Sequence, residues 1–436
     1  MEWWVTLLIA GGVLLGLFFS GVPIFLAFLI INVGGVIAFL GPNAFSMIVN
    51  SVFDTTTTAT LTAIPLFVLM GEILFRSGST AVLFDAVDSL IGRVRGRQYV
   101  LAMSLATIFG ALSGSNMAVA AMMGRTVYPV MAGRGYDSKL SIGVILAGSS
   151  LAPIIPPSVL AIIIATLANV SVAGLLVAGL LPGLMISVLC LGYALIRCAF
   201  NPSLAPGASR DDSDGVPADS ALRQILKCTP FLIIIASVMG FILTGVATPS
   251  ESAATGVVGS LVTAAIFRKL SLRMIWESLG QAASIASMIL IIMATSTMFS
   301  QLLAFSGATG QLASMVLDSR LSPGVILIMM MAIVFLFCMF IDQVALMLVV
   351  IPIYLPVVQA LQFDPIWFWL LMLLNVVIGG ITPPFGYAMF AFKGVVPDVD
   401  LRDIFRASFP IVGLFILAMI IVYWIPAIAT FLPEML

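Results

Sequence analysis

The chain has 436 residues, 61% of them hydrophobic and only 8% charged, with a formal net charge of −1 and no histidine. A soluble domain carries about 25% charged residues, so the composition excludes a soluble fold, and the near-zero charge excludes a nucleic-acid binder. Without histidine the commonest catalytic base and metal ligand is missing, the ligation of an intramembrane metalloprotease cannot be built, and no GxxxxGK[ST] loop is present to cradle ATP.

A helix needs ~20 apolar residues to cross a hydrocarbon core of about 30 Å. In chain order, such runs lie at about 3–20, 22–40, 61–76, 139–168, 172–198, 229–246, 250–267, 280–303, 366–392 and 408–432. Their period is helical or continuous, unlike the dyad alternation of a β-barrel. The expected fold class is an all-α polytopic membrane protein. Trp3 and Trp4 read as interfacial anchors, and the first residues lack the basic region of a cleaved signal peptide. "DTTTTAT" (54–60) reads as a helix cap or a vestibule lining. Glu72 and Arg76 form an i,i+4 pair. Residues 84–97, "FDAVDSLIGRVRGR", read as an amphipathic segment along the cytoplasmic interface. "TPSESAATG" (248–256) reads as an N-cap with a first-turn carboxylate. The four cysteines have no metal spacing and read as buried packing.

Two further apolar stretches, about 99–131 and 324–360, are broken at their centres by polar residues. The first is flanked by Arg93, Arg95 and Arg97 on one end and by Arg134 and Lys139 on the other. Both flanks being basic places both in the cytoplasm. A segment that enters and leaves on one side is a re-entrant hairpin. The second stretch has flanks poor in positive charge, as expected of the external side. The resulting expectation is about ten crossings, two hairpins entering from opposite sides, and both termini outside.

The one long polar loop, 201–227, separates halves that echo one another. "YPVM" (128–131) answers "LPVV" (355–358), and "IIPPSV" (154–159) answers "ITPPFG" (381–386). Pro129 and Pro156 stand 27 residues apart, as do Pro356 and Pro383. "MGEILFRSG" (70–78) answers "FSQLLAFSG" (299–307). Internal repeats of inverted topology are a hallmark of secondary transporters. The expected division is N-terminal scaffold helices over 1–60, a first repeat over 61–200, a cytoplasmic linker over 201–228 and a second repeat over 229–436.

The proline pairs carry the chemistry. Proline inside a helix removes a hydrogen bond and costs roughly 3 kcal/mol. In a bilayer, broken backbone survives only where protein or a water-filled cavity receives it. The freed carbonyls, with a hydroxyl such as Thr382, make an oxygen cluster suited to a hard cation like Na⁺. Gly379, Gly380 and Gly386 allow close approach. The hairpin tips supply facing groups: Ser113, Gly114, Ser115 and Asn116 on the first, and Asp342 on the second. A carboxylate at mid-membrane costs roughly 2.5–3.5 kcal/mol on insertion scales, and so marks function.

"LSGSNMAVAAMMGRTVYPVMAGRGYD", "LAPIIPPS", "GVATPSESAA" and "IGGITPPFGYAMF", in that order, make the chain resemble the large membrane subunit of tripartite ATP-independent periplasmic (TRAP) transporters. The resemblance spans essentially the whole chain. It implies an elevator-type fold in a bacterial or archaeal inner membrane. It implies sodium-driven import of an organic acid, such as a C4-dicarboxylate or sialic acid, without ATP. It also implies two partners, a small four-helix membrane subunit and a soluble periplasmic substrate-binding protein. By position, one sodium site would involve Ser113, Ser115, Gly148, Leu151 and Pro153. The other would involve Asp342, Gly379, Gly380 and Thr382. The carboxylate substrate would lie near Ser115, Asn116, Asp342, Pro156 and Pro384. Asn116 stands where the family usually carries a smaller residue. A stand-alone elevator-type sodium/dicarboxylate symporter is the alternative that the paired hairpins also fit.

Overall fold

A computed structural model describes residues 2–41, 46–91, 95–206 and 221–436. Arg93 and most of the polar loop, residues 207–220, lie outside the described residues. The first half runs α1 (Trp3–Phe19), α2 (Ile24–Gly35), α3 (Ser46–Thr57), α4 (Ala63–Arg76), α5 (Ser79–Leu90), α6 (Arg97–Ser113), α7 (Asn116–Thr126), α8 (Tyr128–Gly133), α9 (Ser138–Ser149), α10 (Val159–Leu167), α11 (Val172–Ala178) and α12 (Leu180–Phe200). The second half runs α13 (Ala221–Leu243), α14 (Pro249–Ile266), α15 (Leu272–Phe305), α16 (Ala308–Asp318), α17 (Pro323–Cys338), α18 (Gln343–Ala360), α19 (Pro365–Gly379), α20 (Tyr387–Val395) and α21 (Leu401–Trp424). No strand occurs among the described residues.

Six of these segments are long and apolar enough to cross a membrane, among the described residues. Their outward faces carry large apolar side chains such as Val188, Leu272 and Trp424, each more than two-thirds exposed. The inward faces of the helices as a whole carry small hydroxyl residues: Ser141, Ser149, Ser252, Ser278 and Ser296 are fully buried. Lipid is as apolar as leucine, so close packing and interhelical hydrogen bonds hold such helices together. Asn32 Nδ2 donates to Thr295 O (2.7 Å), Ser296 Oγ to Leu348 O (2.8 Å) and Asn375 Nδ2 to Met331 O (2.8 Å).

Both broken stretches are helical hairpins, α6–α7 and α17–α18, and both proline-pair segments separate short helices, α9 from α10 and α19 from α20. The apolar runs at 139–168 and 366–392 are thus not single spans. Each holds a coil at its centre. The run at 280–303 is longer than its apolar window, because Ser271 caps the helix at Met274 N and α15 continues for 34 residues. At 1.5 Å per residue that is about 51 Å, well beyond a hydrocarbon core. Its first turns hold Arg273 and Glu277, ion-paired at 2.8 Å.

The two halves match beyond the prolines. Each proline pair contains a cis peptide, Pro156–Pro157 and Pro383–Pro384. The helix before each hairpin is joined to its predecessor by a glycine in the left-handed region, Gly78 (φ 66°) before α5 and Gly307 (φ 70°) before α16. Such dihedrals are cheap only for glycine.

Local motifs resolve simply. Thr248 and Glu251 form a full capping box at α14. Thr56, Thr57 and Thr58 donate back to the carbonyls of residues 52–54 and close the end of α3, so the threonine run is a terminator. α5 packs against α13 and α6, and Asp88 is turned inward. There Asp88 meets Arg97 (3.2 Å) at the start of hairpin 1 and Arg134 (3.8 Å) past its end. One carboxylate holding both flanks places both on one side. Cysteines introduced at positions 95 and 134 are therefore expected to react with an impermeant thiol reagent from the same face of the membrane, and labelling from opposite faces would contradict the hairpin.

Candidate functional site

Each hairpin lies against its proline-broken segment through small residues. A side-chain carbon on Gly148 would overlap Ala106, one on Gly110 would come within 3.1 Å of Ala152 Cα, and one on Gly114 within 3.0 Å of Pro157 O. Positions 106 and 110 lie one turn apart on one face of α6, and Gly114 is the left-handed glycine that ends the helix. On the other side Cys338, at the end of α17, fills the space a side chain on Gly379 would need.

The break leaves carbonyls free. In the first, those of Ile154, Ile155, Pro156 and Pro157 accept no hydrogen bond from a described residue; in the second, those of Ile381, Thr382, Pro383 and Pro384 accept none either. The two sets coincide under the 227-residue offset that relates Pro156 to Pro383. Buried carbonyls are nearly always paired; all four residues of the first set are buried, as are Ile381 and Thr382 of the second, while Pro383 is half-buried and Pro384 exposed, so free carbonyls at equivalent buried positions point to a shared use. The first broken segment's other oxygens are more engaged. Leu151 O accepts from Ile154 N and Ile155 N, Gly148 O from Leu151 N, and Pro153 O from Ser158 Oγ. Thr382 is buried, and its hydroxyl donates to Ile378 O (2.7 Å), which leaves its lone pairs available.

Both tips open on one cavity of about 560 Å³. Hairpin 1 contributes Ser113 through Ala118, and hairpin 2 contributes Asp342, Gln343 and Val344. Val159, Leu160 and Tyr387 enter from the helices that follow the two broken segments, and α4 and α15 close the far wall with Glu72 and Gln281 among others. Ser115 and Asp342 are equivalent under the same offset, and both are N-caps. Ser115 Oγ accepts from Ala118 N (3.4 Å), and Asp342 Oδ1 from Val344 N (2.9 Å) and Ala345 N (3.4 Å). Asp342 remains accessible within the cavity. It is therefore both a cap and a cavity carboxylate.

The residues singled out from sequence divide in two. Ser113, Ser115, Asn116 and Asp342 share the cavity. Gly148, Leu151, Pro153, Pro156, Gly379, Gly380, Thr382 and Pro384 are not among its lining residues; they belong to the broken segments packed behind the tips. Sequence reasoning missed Gln343 and Tyr387, whose hydroxyl donates to Gln343 Oε1 at 2.5 Å. Glu72 pairs with Arg76 (2.9 Å) as expected, yet it also faces the cavity.

Residues 11–428 match the family described as "Tripartite ATP-independent periplasmic transporter, DctM component". The chain is 31% identical to the ectoine TRAP transporter large permease protein TeaC of Halomonas elongata, over 86% of this chain and 87% of that one. It is 28% identical to the C4-dicarboxylate large permease DctM of Pseudomonas aeruginosa, over 92% of each. It is 29% identical to the sialic acid large permease SiaM of Vibrio cholerae, over 97% of each. Among solved structures it shares the fold of the YdaH transporter of Alcanivorax borkumensis (TM-score 0.61, 13% identity, 88% of each chain) and of MtrF of Neisseria gonorrhoeae (TM-score 0.59, 16% identity, 88% of this chain and 83% of that one).

Proposed function

The chain belongs to the DctM component family of tripartite ATP-independent periplasmic transporters, and from that premise we propose that it drives sodium-coupled import of an organic acid through the inner membrane of a bacterium or archaeon. A soluble periplasmic protein would deliver the substrate, and a small four-helix subunit would accompany the chain in the membrane. The observation that carries this reading is the convergence of both hairpin tips on one cavity, each tip backed by a broken segment with free carbonyls. Oxygen-only donor sets suit a hard cation. Ser113, Ser115 and the first carbonyl set would hold one sodium ion. Thr382, the second carbonyl set and the Asp342 tip would hold another. Bound sodium supplies positive charge in a site where no lysine or arginine is among the cavity's lining residues.

The motion we propose is an elevator. Hairpin 1 is fixed to α9 and the first broken segment by the glycine contacts, and hairpin 2 to α19 in the same manner, so tips and breaks form one body. α4 packs against α14 and α15, and these form the other. The substrate would cross held between the tips. A stand-alone symporter would share this arrangement, and the family match over residues 11–428 favours the tripartite one.

Thermal unfolding of the purified chain in sodium, compared with choline at equal ionic strength, tests the ion. A ligand at ~100 times its dissociation constant stabilises the native state by roughly 2.7 kcal/mol. The expected result is a sodium-specific rise in unfolding temperature that Thr382→Ala diminishes. Equal unfolding in both salts would remove sodium from the scheme.

A further inference from the structure

Asn116 and Gln343 are equivalent under the 227-residue offset, each the first residue of its tip helix and each facing the cavity. Their amides are not in equivalent states. Gln343 Oε1 receives the Tyr387 hydroxyl. Asn116 is 2% exposed, and neither its Oδ1 nor its Nδ2 has a hydrogen-bond partner of normal geometry among the described residues. Tyr387 stands beside that amide, but its single proton is committed to Gln343, so toward Asn116 it offers only an acceptor. Nδ2 can turn to it. Oδ1 then has no donor from the protein. An unpaired buried polar atom is costly, and native proteins keep such atoms where something else completes them.

The charges around it point the same way. The cavity is lined by the carboxylates of Glu72 and Asp342 and by no lysine or arginine. Glu72 is ion-paired with Arg76; Asp342 has no ion pair among the described residues. A substrate made only of carboxylates offers acceptors alone, leaves Asn116 Oδ1 unpaired and brings two negative charges to a cavity whose only proposed cations are the sodium ions. A substrate with an N–H group next to its carboxylate supplies the missing donor and brings less negative charge. Its N–H reaches Oδ1, and its carboxylate can take the free N–H groups in the first turn of α7, where the helix end carries partial positive charge.

Resting on the transport reading above, we infer that Asn116 is a specificity-determining residue and that the substrate is a carboxylate carrying an adjacent N–H donor, a zwitterion or amide, rather than a simple dicarboxylate. The test is ligand-induced thermal stabilisation of the purified full chain in saturating sodium. The probes are ectoine, a cyclic amidinium carboxylate, and pyroglutamate, a lactam carboxylate, against succinate and glutarate, which have no donor in their ionised forms. At least one donor-bearing probe is expected to stabilise the chain at concentrations where the dicarboxylates do not. Asn116→Leu, and Asn116→Ser as a smaller variant, are expected to raise its half-saturating concentration ~10-fold or more, because a site built around a hydrogen bond discriminates strongly on its loss. Both variants should retain the sodium response, which shows that they are folded. Stabilisation by the dicarboxylates alone, by none of the four, or by a donor-bearing probe equally well in both variants overturns the inference. Loss of the sodium response in the unaltered chain, with the donor preference intact, would instead overturn the sodium coupling and leave this inference standing.

Discussion

Asp342→Asn is expected to abolish sodium-driven uptake in proteoliposomes while leaving the thermal unfolding of the chain in choline nearly unchanged. The substitution separates two roles that one side chain holds. As an N-cap, Asp342 accepts from Val344 N and Ala345 N, and asparagine caps about as well as aspartate. As a cavity carboxylate it supplies the only unpaired formal charge at the tip of hairpin 2 among the described residues. Interactions between a charged group and its partner are worth roughly 1.5–3 kcal/mol, so losing that charge would weaken a cation site by ~10–100-fold. Asp342→Ala removes the cap as well, and should lower stability by a further ~1 kcal/mol. Uptake by Asp342→Asn at the rate of the unaltered chain would reduce Asp342 to a cap and move the second ion site elsewhere.

Gly379→Ala is the second large effect. The new methyl would fall on Cys338, overlapping its sulfur, its Cβ and its carbonyl. Overpacking of this kind typically costs about 1–3 kcal/mol, more where backbone must shift. Here the clash sits between the end of α17 and the start of the second broken segment, so relief requires the tip of hairpin 2 to move away. Transport is expected to be lost and stability lowered. Cys338→Gly in the same chain removes the sulfur and the Cβ but not the carbonyl, and should restore part of the stability. Residues in contact couple by roughly 0.5–3 kcal/mol, and a double-mutant cycle of thermal unfolding measures it. Purely additive losses would mean that hairpin and broken segment are not packed as described.

The architecture was legible where a local signal has one reading. Proline pairs in apolar runs had to break helices, and polar residues at the centre of an apolar stretch had to turn it back. The basic flanks of hairpin 1 marked a shared side, which Asp88 with Arg97 and Arg134 makes physical. What stayed hidden depended on partners distant in sequence. Nothing near Asp88 says that a surface-looking acid folds inward to meet residues 9 and 46 positions away. The length of α15 was hidden because its first turns are charged, and apolar windows stop at charge. Tyr387 looked like any aromatic at a helix start until Gln343 was placed against it. The signal for the Asn116–Gln343 pair did exist. The offset between proline pairs, applied to the tips, aligns the two amides and the two caps without any structure.

Gly78 and Gly307 have a mechanical consequence. Each is the left-handed joint through which α4 or α15 is tied, by α5 or α16, to the hairpin beyond it. In the elevator we propose, a single stiff bar on each side, pivoting at matched points, would make a parallelogram. A parallelogram carries its load sideways without tipping it. A load suspended by one bar would swing and turn, and the two tips would reach the opposite surface out of register. On that reading, duplication of the half-chain would supply the second pivot that keeps the tips level.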